Sequence, residues 1–205
     1  MQLDRSQFLK AVKFLKPAIL VTEGTEPMTN VHVKIVADRC QLTAANGVCG
    51  KRVTLVTPAQ IAFDETEKPD DDQEFMIDKA TLESFETLCQ KHKAIFERAA
   101  KADQTLKLID IFSNVLESHK DRLNYIQPLG TFKDIGSFFF LRMPEPIVTG
   151  SIKINSLIMI DALKEFSGAV EMTFSGDTGP IYVRQPDSEY QAFFLPFEPR
   201  KEDGQ

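Results

Sequence analysis

Residues 151–199, SIKINSLIMIDALKEFSGAVEMTFSGDTGPIYVRQPDSEYQAFFLPFEP, carry the reading that decides the fold. An apolar stretch at 151–154 ends in Asn155, whose side-chain oxygen suits the free amides of a first helical turn. The spacing then predicts a helix over 156–166, because Met159, Ala162 and Phe166 follow the cap at offsets that share one face of a 3.6-residue helix. Gly168 is the expected helix-ending glycine. Strands are expected at 170–175, 181–185 and 191–197, separated by the turn formers Asp177-Thr178-Gly179-Pro180 and Pro186-Asp187-Ser188.

The same order of strand, cap, helix and three strands occurs twice upstream. Leu3-Asp4 opens the first copy and Ile77-Asp78 the second, so the caps fall at positions 4, 78 and 155. Behind them, Phe8, Ala11 and Leu15 match Leu82, Phe85 and Cys89, and Gln7 completes a capping-box pattern with Asp4. The first copy predicts a helix over 5–16 stopped by Pro17, then strands at 32–37, 40–45 and 51–57, with Asn46-Gly47 as a turn. The second predicts a strand at 74–77, a helix over 79–91, and strands at 94–98, 105–112 and 122–128. The Ala, Lys and Glu of 94–107 also suit a continued helix.

These copies define an α+β chain of repeated half-units, with helices on one face of antiparallel sheets. The expected division is a domain over 1–134, made of half-units 1–60 and 73–130, a C-terminal half-domain over 135–199, and a tail over 200–205. The acidic run 64–74, DETEKPDDDQE, reads as a solvated connector. A second linker over 130–150 holds Phe138, Phe139 and Phe140. Three consecutive rings cannot share one side of a strand, so either both faces are covered or one meets a partner, with burial favoured.

With 205 residues and 42% hydrophobic content, the chain can bury a core without staples. A net charge of −6 argues against gripping nucleic acid with the whole surface. Cys40, Cys49 and Cys89 are odd in number and lack paired spacing, so they read as reduced core thiols. His32, His92 and His119 are scattered, and no phosphate loop, HExxH, GxSxG or DxDxDG pattern occurs. The expectation is therefore no catalytic residue, no metal and no cofactor. Neither a leader-like apolar run nor a span of roughly 20 apolar residues occurs, so a soluble cytoplasmic protein is expected, with no membrane association.

One charge pattern stands out: Lys10, Lys13 and Lys16 recur every three residues opposite Phe8, Val12 and Leu15. Lys79, Lys91 and Lys164 add weaker positions on the other two helices. Such lysines would contact phosphate without reading sequence.

Together, residues 151–199 and 2–58, the latter containing LTAANGVCGKRVTLVTP, resemble the DNA polymerase sliding clamps, which include the bacterial beta clamp and proliferating cell nuclear antigen. The middle copy matches in outline. The resemblance implies a ring of a small phage or mobile-element type, acidic outside and basic inside, encircling double-stranded DNA independently of sequence. It implies a processivity factor that tethers a DNA polymerase, is placed by a clamp loader and catalyses nothing. On it, Lys10, Lys13, Lys16, Lys79, Lys91 and Lys164 would face the duplex. A partner-peptide pocket would be walled by Phe193, Phe194, Leu195, Pro196 and Phe197, with Gly47, Val48 and Cys49 opposite. Family rings hold twelve half-units, whereas three are legible here, so a homo-oligomer, trimer or tetramer, is expected, with the odd unit completing a domain with a neighbouring chain or with a degenerate fourth unit near 132–146. A clamp-like protein-interaction module that does not encircle DNA is the alternative.

Overall fold

The computed structural model describes residues 1–19, 29–57, 73–103, 107–119, 121–128, 139, 145–147 and 152–196. The chain runs β1 (Gln2–Asp4), α1 (Arg5–Leu15), β2 (Asn30–Val36), β3 (Arg39–Ala45), β4 (Cys49–Val56), β5 (Gln73–Asp78), α2 (Lys79–Lys91) and α3 (Lys93–Ala102). It continues through β6 (Leu108–Phe112), β7 (Val115–Ser118), β8 (Asp121–Asn124), α4 (Ser156–Leu163), β9 (Glu171–Phe174), β10 (Ile181–Arg184) and β11 (Tyr190–Phe194).

The three caps act as their side chains dictate. Asp4 accepts from the Gln7 amide at 2.9 Å, Asp78 from Thr81 at 2.8 Å and Asn155 from Leu157 at 3.0 Å. Pro17 ends α1 by passing into a short 3-10 turn at Lys16–Ala18, since proline suits a first helical turn but not an interior. Gly47 adopts φ 89°, and the Asn46 side chain accepts from the amides of Val48 and Cys49, which closes the β3–β4 hairpin.

Several expectations fail in the second and third units. The stretch 94–98 is helix α3 rather than a strand: its Ala, Lys and Glu are strong helix formers, and Phe96 N bonds to His92 O at 3.0 Å to keep the chain winding. The three strands of that unit therefore all follow α3: β6 falls within the expected 105–112, β8 overlaps the start of the expected 122–128, and β7 lies between them, where the sequence predicts no strand. Residues 152–155 form no strand ahead of α4, and α4 stops at Leu163 rather than 166. Lys164 turns to an extended ψ of 137° and Glu165 takes φ 72°, so the helix is closed before Gly168, whose φ of 88° serves the turn ahead of β9. Gln73, expected in the connector, belongs to β5, and Glu74, expected both to end the connector and to begin the strand, belongs to the strand; Glu74 sits opposite Lys34 with an ion pair at 2.8 Å. The rest of 64–74, the tail over 200–205, and Phe138, Phe140 and Phe197 lie outside the described residues.

The strands make two antiparallel sheets, ordered β1-β6-β7-β8 and β5-β2-β3-β4-β11-β10-β9. The first two units exchange strands: β1 joins the second unit's sheet through β6, and β5 joins the first unit's sheet through β2. The third unit attaches through β4 and β11, with Cys49 opposite Phe194 and Val53 opposite Tyr190. Under the helices lies one core that includes Phe8, Phe14, Phe85, Ile77 and Phe194. Phe14 meets Phe166 and Tyr190 edge to face, at 5.0 and 4.8 Å, which fastens the third unit onto α1. Such contacts contribute about 0.5–1.5 kcal/mol each beyond area burial.

Candidate functional site

Two surfaces hold the side chains that the sequence singles out. The first is the helix side. There α1 and α4 pack on the same strand β4, and α2 meets α1 through the edge-to-face rings of Phe8 and Phe85, 6.5 Å apart. A groove of about 460 Å³ runs between α1, α2 and the chain after α4, lined by Leu9, Lys10, Lys13, Glu86, Gln90 and Glu165 among others.

The lysine stripe lies along this groove, but much of its charge is answered locally. Lys10 is exposed, with Nζ 5.3 Å from the Tyr190 ring centre. Lys13 reaches Glu165 at 3.0 Å, and Lys16 is ion-paired to Glu86. Lys91 and Lys164 are exposed at the C-terminal ends of α2 and α4, where a cation meets the negative pole of a helix, and Lys79 is half-buried at the start of α2. Glu86 and Glu165 were invisible as partners in the sequence because they lie 70 and 152 positions from the lysines they meet (86 minus 16 and 165 minus 13).

A lysine outside the stripe is fully buried instead. Lys51 on β4 points beneath α4, donates to the Lys164 carbonyl at 2.7 Å and places its ammonium 4.5 Å from the Phe14 ring centre. Burial pushes its pKa down from 10.5 to about 8. A second buried charge sits at the other end of α1. Arg5 pairs with Asp121 at 3.0 Å, donates to the Cys89 carbonyl at 3.0 Å and to Ser118 Oγ at 3.3 Å, and stacks 3.8 Å above the Phe96 ring. Asp121 also meets His92 Nδ1, so this histidine is part of a structural network.

The second surface is the opposite side of the sheet at the β4–β11 junction. Leu195 N bonds to Val48 O at 2.9 Å, which sets 47–49 beside 193–196. Strand alternation then divides these residues. Cys49 and Phe194 enter the main core, while Phe193 faces the other way and packs with Tyr182 and Phe139 in a small separate cluster. Val48 is 40% exposed, Leu195 half-buried and Pro196 buried. Phe139 meets Phe193 edge to face at 5.5 Å and carries the Arg52 guanidinium 4.4 Å above its ring.

All three cysteines are free and buried, with burial pushing each thiol up to about 12, far from a reactive thiolate. Among the described residues, no group of three His, Cys, Asp or Glu side chains could hold a metal ion, and no helix is long and apolar enough to cross a membrane.

Solved structures supply the comparison. The chain superposes on the DNA polymerase III beta chain of Streptococcus pneumoniae with a TM-score of 0.70 at 14% identity, covering 97% of this chain and 64% of that one. It is similar to the DNA polymerase sliding clamp of Bacillus subtilis at 0.69 and 15%, with the same coverages. The beta subunit of Streptococcus pyogenes gives 0.72 and 11%, covering 97% and 66%. The chain has the sliding-clamp fold. It spans less than two thirds of the length of the first two of these proteins. No family model and no curated protein matches the sequence. At identities of 11–15% the likeness is one of backbone fold.

Proposed function

We propose that this protein is a sliding clamp: a non-enzymatic, homo-oligomeric processivity factor of the cytoplasm that encircles double-stranded DNA and tethers a DNA polymerase after loading by a clamp loader. The observation that carries this reading is the clamp fold across 97% of the chain, to which the helix-side lysines add a chemical reason. Lys10, Lys13 and Lys16, with Lys79, Lys91 and Lys164, would make weak, water-mediated phosphate contacts that permit sliding, because a flexible ammonium reads no base. The junction formed by Gly47, Val48 and Cys49 with Phe193, Phe194, Leu195 and Pro196 is the surface for partner peptides. Val48, Phe193 and Leu195 would supply its contact area, with Cys49 and Phe194 holding it from beneath. The test is retention of loaded protein on nicked circular DNA and its loss when the circle is cut. Equal retention on circular and linear DNA, or none on either, would refute encirclement.

A second reading is favoured by a specific observation, the pairing of Lys13 with Glu165 and of Lys16 with Glu86, which weakens the field of the helix face. On it the protein is an interaction module that does not encircle DNA. Replacing Lys10, Lys13 and Lys16 together by Glu separates the two: only the clamp reading expects lost polymerase stimulation with peptide binding intact.

A further inference from the structure

The first and third units carry one α-helix each among the described residues, whereas the second carries two, α2 and α3, with His92 alone between them. Helix α3 is an addition to the repeat, and it is firmly held. Arg5, at the start of α1, stacks on Phe96 and pairs with Asp121, which also meets His92 at the joint. Ala100 is buried, and Asp103 N closes the last turn on Ala99 O at 3.0 Å. Since Arg5 also donates to the Cys89 carbonyl, α3 sits where the first turn of α1 meets the last turn of α2, shortly after Gln90 of the helix-side groove.

With Phe96 and Ala100 turned inward, helical spacing puts Arg98 and Lys101 on the outward side. Over 91–107 the basic residues Lys91, Lys93, Arg98, Lys101 and Lys107 stand against Glu97 and Asp103, a local net of +3 (5 minus 2) in a chain of −6. All five cations are exposed. Lys93 has Glu97 at 3.7 Å, but among the described residues Lys91, Arg98, Lys101 and Lys107 have no acidic partner. Helix α1 is the reverse case, because Glu165 and Glu86 answer Lys13 and Lys16. The helix dipole accounts for Lys101, which lies in the last turn, but it gives no reason for Arg98.

We propose that α3 is a phosphate-contacting element, in which Arg98 and Lys101, flanked by Lys91 and Lys107, hold the backbone of a DNA duplex beside the helix face of α1 and α2. The inference rests on the reading of that face as the DNA side and names the residues that carry its unanswered charge. The occupant follows from charge and from continuity with the groove. A ten-residue helix is about 15 Å long, and a duplex of that length carries roughly nine phosphate charges. An anionic lipid surface fits worse, because an interfacial helix needs a free apolar face, and α3 spends Phe96 and Ala100 inward. An acidic peptide fits worse too, since apart from Ile95, 55% exposed, the outward side offers no apolar anchor. The contact reads charge and not sequence.

The test is the affinity of the full chain for a nicked duplex, read by fluorescence anisotropy at several salt concentrations. Arg98→Gln with Lys101→Gln should flatten the slope of log affinity against log salt by about 1.8, twice the 0.9 of one phosphate contact, with circular dichroism unchanged because both positions are exposed. Arg98→Lys with Lys101 intact should keep the wild-type slope. Arg39→Gln, at the exposed start of β3, should keep it as well. An unchanged slope in the double variant, or an equal fall in Arg39→Gln, would overturn the assignment. So would an unchanged DNA slope with affinity lost instead for anionic vesicles or for poly-glutamate, which would name a membrane or an acidic protein as the partner. Retention of the double variant on nicked circles with the wild-type slope would overturn α3 alone and leave the clamp reading, whereas a wild type that binds no duplex would overturn both.

Discussion

The buried ammonium of Lys51 donates to the Lys164 carbonyl at 2.7 Å, so a charge on β4 closes the helix that begins the third unit's packing. A lysine whose pKa is lowered on folding, here from 10.5 to about 8, costs stability while it is charged in both states. That cost is present in full below pH 8. Above pH 8 the native state releases its proton while the unfolded chain keeps one, so this group's contribution rises until about pH 10.5. The rise is about 1 kcal/mol between pH 8 and 9 and on the order of 3 kcal/mol in all. Cys40, Cys49 and Cys89, pushed up from 9.0 to about 12, act in the opposite sense, because the unfolded thiols ionise first as pH rises toward and past 9. The lysine is therefore read as a difference. Urea unfolding of the wild type against Lys51→Met should show the wild type gaining about 1 kcal/mol on the variant from pH 8 to 9. A pH-independent difference would mean that the ammonium is solvated.

The pairing of Arg5 with Asp121 yields a second prediction, because both side chains are buried and they join α1 to β8. Asp121→Ala leaves the guanidinium facing the Cys89 carbonyl and Ser118 without its counter-ion, at a cost of about 3–5 kcal/mol. Arg5→Met with Asp121→Leu removes both charges and should recover most of that loss. Equilibrium urea unfolding of the single and double variants gives the coupling. A double variant no more stable than Asp121→Ala would show that the stabilising contact is the stacking of Arg5 on Phe96 rather than the ion pair.

What the sequence made legible, and what it hid, follows from the range of each interaction. Asp4, Asp78 and Asn155 bond to amides within three residues, so their helices could be read directly. The boundary of α2 needed nothing else. Helix α3 was legible only as the alternative to a strand, because 94–98 combines apolar residues of strand type with Ala and Glu, and local winding outweighed alternation. The shortened α4 depends on Lys51, 113 positions away, taking the carbonyl of Lys164. The lysine stripe was legible as spacing, but Glu86 and Glu165 reach it only through tertiary packing. The sequence pattern does not single out Asp121. Its burial against Arg5 and His92 had no local signal.

On the outer face, Gly50 lies beneath the Phe193 ring so closely that an added Cβ would stand 2.2 Å from Phe193 Cε1. Gly50→Ala must push the ring outward, and that ring also meets Phe139. The expected loss is about 1–3 kcal/mol, the usual cost of overpacking. Phe193→Leu in the same background should restore part of it, measured by thermal unfolding at one pH. If Gly50→Ala alone were neutral, the ring would be free to move, and the cluster of Phe139, Tyr182 and Phe193 would be a loose surface rather than a packed one.

The ion pair of Lys13 with Glu165 gives the helix face its most direct test. Both side chains lie at the rim of one groove, so Glu165→Gln releases Lys13 without altering the shape of α1. If the face meets phosphate, the freed ammonium adds one counter-ion release. The log of DNA affinity against log salt should then steepen by about 0.9, with tighter binding at low salt. Lys10→Gln should shift the slope by a similar amount in the other direction, since Lys10 is exposed and has no acidic partner to screen it among the described residues. Fluorescence anisotropy on a nicked duplex at several salt concentrations reads both variants. Slopes that stay at the wild-type value in the two proteins would place the DNA contact, if any, elsewhere and shift the balance to the interaction-module reading.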